Sequence, residues 1–219
     1  MELNGSVINF LGDSITEGVG ASCRENGFVS VFARMYGAKA NNYGIGGTRI
    51  ARQSVVTQER RDRDFCMRMD EMDESADAVV VFGGTNDFGH GDAPFGTMQD
   101  RTPQTFCGAC HDLMSRLLER YAGKPIVIIT PLHRLRENCE DGDGSGLRAN
   151  CTLPLSSYRE AIMEIAAYYS LPVLDLYATS GMQPAVQACR ERLMPDGLHP
   201  SDEGHAIIAR RVGEFLKTL

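Results

Sequence analysis

The chain has 219 residues, 42% hydrophobic and 23% charged, a composition that excludes disorder, collagen-like repeats and coiled coils and suits one domain, 1–219, with its own core. Twenty-nine acidic residues against twenty-two basic leave a net charge of −7, so nucleic acid and anionic membranes are not expected partners. No apolar run approaches the roughly 18 residues of a membrane span, no secretory signal is visible at the start, and a cytoplasmic location is expected.

Taken in chain order, strands and helices alternate, the pattern of a parallel sheet covered on both faces. Residues 6–11 (SVINFL) read as the first strand and residues 27–36 as a helix stopped by Gly37. Residues 41–43 form a weak second strand before a glycine cluster. The charged stretch 54–74 reads as an amphipathic helix with a solvated face. Residues 78–82 (AVVVF) are a continuous apolar run, as in a central parallel strand, followed by a long helix over 103–121. The fourth strand is 126–130, and the polar, glycine-rich segment 136–151 is a candidate mobile or substrate-contacting loop. A helix over 154–169, a fifth strand over 172–176 and a last helix capped by Ser201 complete the chain. The expected fold is α/β: a three-layer α/β/α sandwich on a five-stranded parallel sheet of the flavodoxin-like kind, with sites at the carboxyl ends of the strands.

Seven cysteines are an odd number in a chain large enough to need no staples, so free thiols are expected. Cys107-Gly-Ala-Cys110 has a redox spacing, but it falls within the first turns of the predicted helix and reads as two ordinary helical cysteines.

Four short blocks stand at strand ends. In Gly12-Asp13-Ser14-Ile15-Thr16-Glu17-Gly18, a serine after the first strand can present its hydroxyl at the sheet edge, although the same turn could merely cap a helix. Asn42-Tyr43-Gly44-Ile45-Gly46-Gly47-Thr48 offers backbone amides for an oxyanion, or only a tight turn. Gly83-Gly84-Thr85-Asn86-Asp87 places a side-chain amide after the third strand, as a donor or in an Asx-turn. In Asp196-Gly197-Leu198-His199-Pro200, an aspartate three residues ahead of a histidine can curl back to hold the imidazole as a base. A doubly wound sheet brings four such ends to one edge, which makes coincidence the poorer account.

With these blocks in this order from Gly12 to Ser201, the sequence resembles the GDSL esterases and lipases, also called SGNH hydrolases. GDSITEG resembles the nucleophile block, with Ile15 in place of the usual leucine, and YGIGG, GGTND and DGLHPS resemble the other three. The resemblance implies Ser14 as nucleophile, His199 as base and Asp196 as its orienter. It also implies oxyanion donors at Ser14, Gly47 and Asn86, where the choice of Gly47 over Gly44 and Gly46 rests on its offset from Asn42. The implied reaction is acyl transfer through an acyl-enzyme on a small-molecule ester, soluble or carbohydrate-borne in preference to packed lipid, with no metal or organic cofactor.

Asp13, His90 and His133 lie near the same edge and are candidate substrate contacts, His133 being also a rival for the base. His111 and His205 fall on predicted helices and read as ordinary. Two other functions compete. Asp87, His90 and Asp92 could serve a metal-dependent phosphoesterase, and the fold could carry a non-catalytic binding module. The segment from Asp141 imitates a calcium loop but has Thr152 where a bidentate glutamate belongs.

Overall fold

The computed structural model describes residues 1–55, 60–138 and 153–219. Five strands, β1 (Val7–Gly12), β2 (Lys39–Gly44), β3 (Ala78–Phe82), β4 (Ile126–Ile129) and β5 (Val173–Leu174), form an all-parallel sheet in the order β2-β1-β3-β4-β5. This is the flavodoxin-like order, whose topological switch point lies where β1 is flanked by β2 and β3.

Continuous apolar strands give each face of the sheet a core. In β3, Val79 and Val81 join the cluster under α5 (Phe106–Arg120) and α6 (Leu155–Tyr168). Ala78, Val80 and Phe82 join the opposite cluster under α2 (Phe28–Tyr36) and α9 (Asp202–Lys217). β4 alternates in the same way, so both faces are sealed and the three layers follow.

Local signals decide where helices start and stop. α2 ends at Gly37 in the left-handed region, φ 65°. The long helix begins at Phe106, not at residue 103, because the Thr105 hydroxyl accepts from Gly108 N and caps it there. Ser201 caps α9 through Gly204 N, with Asp202 and Glu203 in the first turn. β5 is shorter than expected because Asp175 leaves the strand to cap α7 (Leu176–Thr179) and to accept from Arg159 and Thr130. A further helix, α8 (Gln187–Leu193), then leads to the Asp196 turn. Cys139 and Cys151 lie outside the described residues; among those described, Cys23, Cys66, Cys107, Cys110 and Cys189 are free, with Cys107 and Cys110 buried inside α5.

The long helix expected over 54–74 is not formed. Among the described residues there is only the single turn α3 (Phe65–Arg68) and a 3-10 turn at Met69–Glu71. Carboxylates from elsewhere in the fold bond the backbone amides just before this stretch and at its start. Asp87 accepts from Ile50 N and Ala51 N, and Asp92 accepts from Ser54 N and Val55 N. Nor is its charge all solvated, since Asp64 and Arg68 are buried. The loop expected over 136–151, and the calcium-loop imitation within it, fall outside the described residues from 139 onward. Among the described residues, no helix is long and apolar enough to cross a membrane.

Candidate active site

Ser14 leaves the carboxyl end of β1 as the first residue of α1 (Ser14–Glu17). Gly12 permits the sharp turn, because a Cβ there would lie 1.9 Å from Thr16 Oγ1 and 2.9 Å from Phe82 O. Asp13 caps α1 by accepting from Ile15 N at 2.9 Å. It was a candidate substrate contact, but its side chain is buried beneath the turn and spent on this cap. Burial pushes the Asp13 carboxyl up to about 7 against the pull of the Ile15 amide, and the nearby Asp87 adds to the rise.

This shift has a measurable consequence. An ordinary aspartate value of 3.8 applies to the unfolded chain, so stability from protonated Asp13 is fully present below that pH and is lost as pH rises through about 7. Asp13→Asn keeps a carbonyl acceptor for Ile15 N and removes the titration. It should flatten the fall in urea midpoint between about pH 4 and about pH 7. An equally steep fall in the variant would clear Asp13 of the effect.

Ser14 Oγ lies 3.0 Å from His199 Nε2, and His199 Nδ1 lies 2.6 Å from Asp196 Oδ2. The other carboxylate oxygen, Oδ1, accepts from Leu198 N and His199 N at 2.8 and 2.7 Å, so one side chain folds the turn and holds the ring. Burial would raise the Asp196 carboxyl, but bonds from the His199 ring and from the His199 and Leu198 amides outweigh it and hold it below the usual range. Leu135 N donates to Gly197 O, tying the segment after β4 to this turn.

The glycine block sits opposite. Gly44 N donates to Asn42 Oδ1, and Gly46 N donates to Glu17 Oε2 at 2.6 Å. That leaves Gly47 N as the block's glycine amide without an acceptor among the described residues, on a residue whose φ of 78° suits glycine. Asn86, in α4 (Thr85–His90), donates from Nδ2 to Thr48 O at 3.0 Å. Its neighbour Asp87 grips Ile50 N and Ala51 N, so the block after β3 clasps the block after β2. Burial pushes Asp87 up to about 6, partly offset by the two amides.

Asp87, His90 and Asp92 do not converge as a metal site would require. The two aspartates are turned onto backbone amides of residues 50–51 and 54–55. Among the described residues no group of three or more His, Cys, Asp or Glu is arranged to hold an ion. His133 Nδ1 meets Glu137 at 2.8 Å and its ring packs 3.7 Å from that of Tyr177, so its carboxylate partner is Glu137 and the histidine reaching Ser14 is His199. His205 is buried between Phe28 N and Val19 O, and His111 is buried on α5 beside Tyr169.

Two residues that bind this edge together were missed in the sequence. Arg68, only 2% exposed, donates to Gly12 O and Tyr43 O at the ends of β1 and β2, and to Thr48 Oγ1 in the glycine block. Burial lowers it to about 10. Its one signal was a lone charge inside the run Phe65-Cys66-Met67-Arg68-Met69. Glu17, one turn after Ser14, holds Gly46 N and pairs with Arg60, which no local pattern announces.

The sequence matches the GDSL-like Lipase/Acylhydrolase family over residues 10–207. A solved structure 33% identical to the chain superposes with a TM-score of 0.84, covering 100% of this chain and 99% of its own. A protein from Lactobacillus plantarum is 30% identical, with a TM-score of 0.83 over 99% of this chain and 98% of its own. A lipase/acylhydrolase from Enterococcus faecalis is 22% identical, with a TM-score of 0.67 over 97% and 96%. No curated protein matches the chain.

Proposed function

The chain belongs to the GDSL-like lipase/acylhydrolase family, and from that premise we propose that this ester-bond hydrolase is a serine esterase working through an acyl-enzyme on Ser14. The observation that carries the reading is the unbroken line from Asp196 through His199 to Ser14 Oγ, at 2.6 and 3.0 Å. In the proposed reaction Ser14 Oγ attacks the ester carbonyl carbon while its proton passes to His199 Nε2. The oxyanion is received by Ser14 N, Gly47 N and Asn86 Nδ2. Collapse breaks the bond to the alcohol oxygen, which leaves with the proton from His199. Water then attacks the acyl-Ser14 carbonyl by the same route and releases the carboxylic acid. A non-catalytic module would have no use for this alignment.

Small soluble or carbohydrate-borne esters are the favoured substrates. The preference rests on the acidic chain, which would not draw this protein to an anionic lipid surface.

The test is a panel of p-nitrophenyl esters of increasing acyl length together with acetylated sugars, assayed with a chelator present. The expected result is fastest turnover on the acetyl ester, release of acetate from the sugars, and no effect of the chelator. Rates that climb with chain length and jump at a micelle surface would replace the small-ester reading with a lipase. Loss of activity that added Mn²⁺ or Zn²⁺ restores would overturn the serine mechanism.

A further inference from the structure

We infer that His90 is a positioning residue that orients and polarises the Asn86 amide for the oxyanion; this rests on the proposed role of Asn86. The two residues are four apart on α4, which puts them on one helix face. His90 Nε2 lies 3.2 Å from Asn86 Oδ1. On its other side the same amide meets the Thr48 carbonyl at 3.0 Å.

These two contacts assign the atoms. A backbone carbonyl can only accept, so the amide nitrogen faces Thr48 and the amide oxygen faces His90. His90 therefore donates from Nε2–H, in either the neutral tautomer or the imidazolium. An asparagine amide rotated by a half-turn would present oxygen where the oxyanion needs a donor, and would set oxygen against the Thr48 carbonyl. His90 and Thr48 together disfavour that rotamer from both ends. A donor on Oδ1 also draws electron density out of the amide, which makes the remaining Nδ2–H a stronger donor to developing negative charge. The sequence suggested substrate contact for His90; its bond to Asn86 points to support of the transition state.

The role predicts a particular kinetic pattern. Asn86→Ala should lower kcat by ~10²–10³ at nearly constant KM. His90→Ala should lower kcat by about 10-fold, again with KM unchanged. Because His90 acts through Asn86, the double variant should lose no more than Asn86→Ala alone. His90→Gln should recover most of the activity, since its Nε2 stands the same number of bonds from Cβ and can donate to the same oxygen. Thermal melts of each variant establish that it folds, and the glutamine variant keeps the test open should the alanine variant fail to fold.

The outcomes separate the two readings. Full activity in Asn86→Ala removes the oxyanion assignment and the His90 role with it. A large loss in Asn86→Ala beside wild-type kcat in His90→Ala, or losses that multiply in the double variant, overturns the His90 inference alone. A raised KM at constant kcat in His90→Ala also overturns it and returns His90 to substrate binding.

Discussion

Ser14→Ala is expected to lower ester turnover by ~10⁴-fold or more while the protein folds as before. The Ser14 hydroxyl meets the His199 ring, and the turn that presents it is built by other atoms: the Asp13 cap, the close approach at Gly12 and the bonds of Arg68 to Gly12 O. Removing one oxygen therefore removes the acyl acceptor and leaves its support in place. Activity that remains would come from the oxyanion donors acting on water. The check is kcat/KM on p-nitrophenyl acetate beside a thermal melt, with mass spectrometry of the wild type after a serine-directed phosphonate. Near-normal turnover in a folded variant, or labelling at a residue other than Ser14, would end the proposal.

Asp196→Asn is expected to lower kcat by up to ~10⁴-fold with little change in KM. The carboxylate divides its work, with one oxygen on the amides of Leu198 and His199 and the other on His199 Nδ1. Asparagine can keep the first task with its oxygen. It then presents an NH₂ group to Nδ1, which favours the tautomer carrying its proton on Nε2, and such an imidazole cannot take the proton of Ser14. Asp196 is also 55% exposed on its side chain, so the loss should come from the wrong tautomer more than from a lost buried charge pair. A turn that keeps its conformation with kcat reduced less than tenfold would mean that Asp196 folds the segment without serving His199.

The four blocks were legible because each is local. A glycine where backbones touch, a capping aspartate, and an Asp-x-x-His that closes on itself at 2.6 Å need only a few neighbouring residues to define them. The strand order brought them together, since the ends of β1 and β3 flank the switch point and β2 pairs with β1 along its whole length. The charged stretch 54–74 misled for the opposite reason. Its composition suits a surface helix, but Asp64 and Arg68 within it are buried and bond residues outside it, Arg52 and the ends of β1 and β2, which no local pattern shows. Arg68 misled similarly, because nothing nearby says that a charge in that stretch will be turned inward to four oxygen acceptors.

The sequence by itself determined the α/β class, the strands and their order of appearance, and the serine and asparagine at strand ends, whereas the Asp196–His199 turn, expected at the end of the fifth strand, follows α8 and leads into α9. Hydrophobic period, capping and glycine chemistry act over a few residues and are written directly in the chain. The tertiary structure alone decided which polar groups meet. It turned Asp13 into a buried cap and Asp87 into a clasp on the residues after the glycine block, gave His133 to Glu137, set His90 on the amide of Asn86, and left Gly47 as the block's glycine amide without an acceptor among the described residues. Each of these pairings joins groups whose hydrogen-bonding needs are satisfied only after distant segments pack and exclude water.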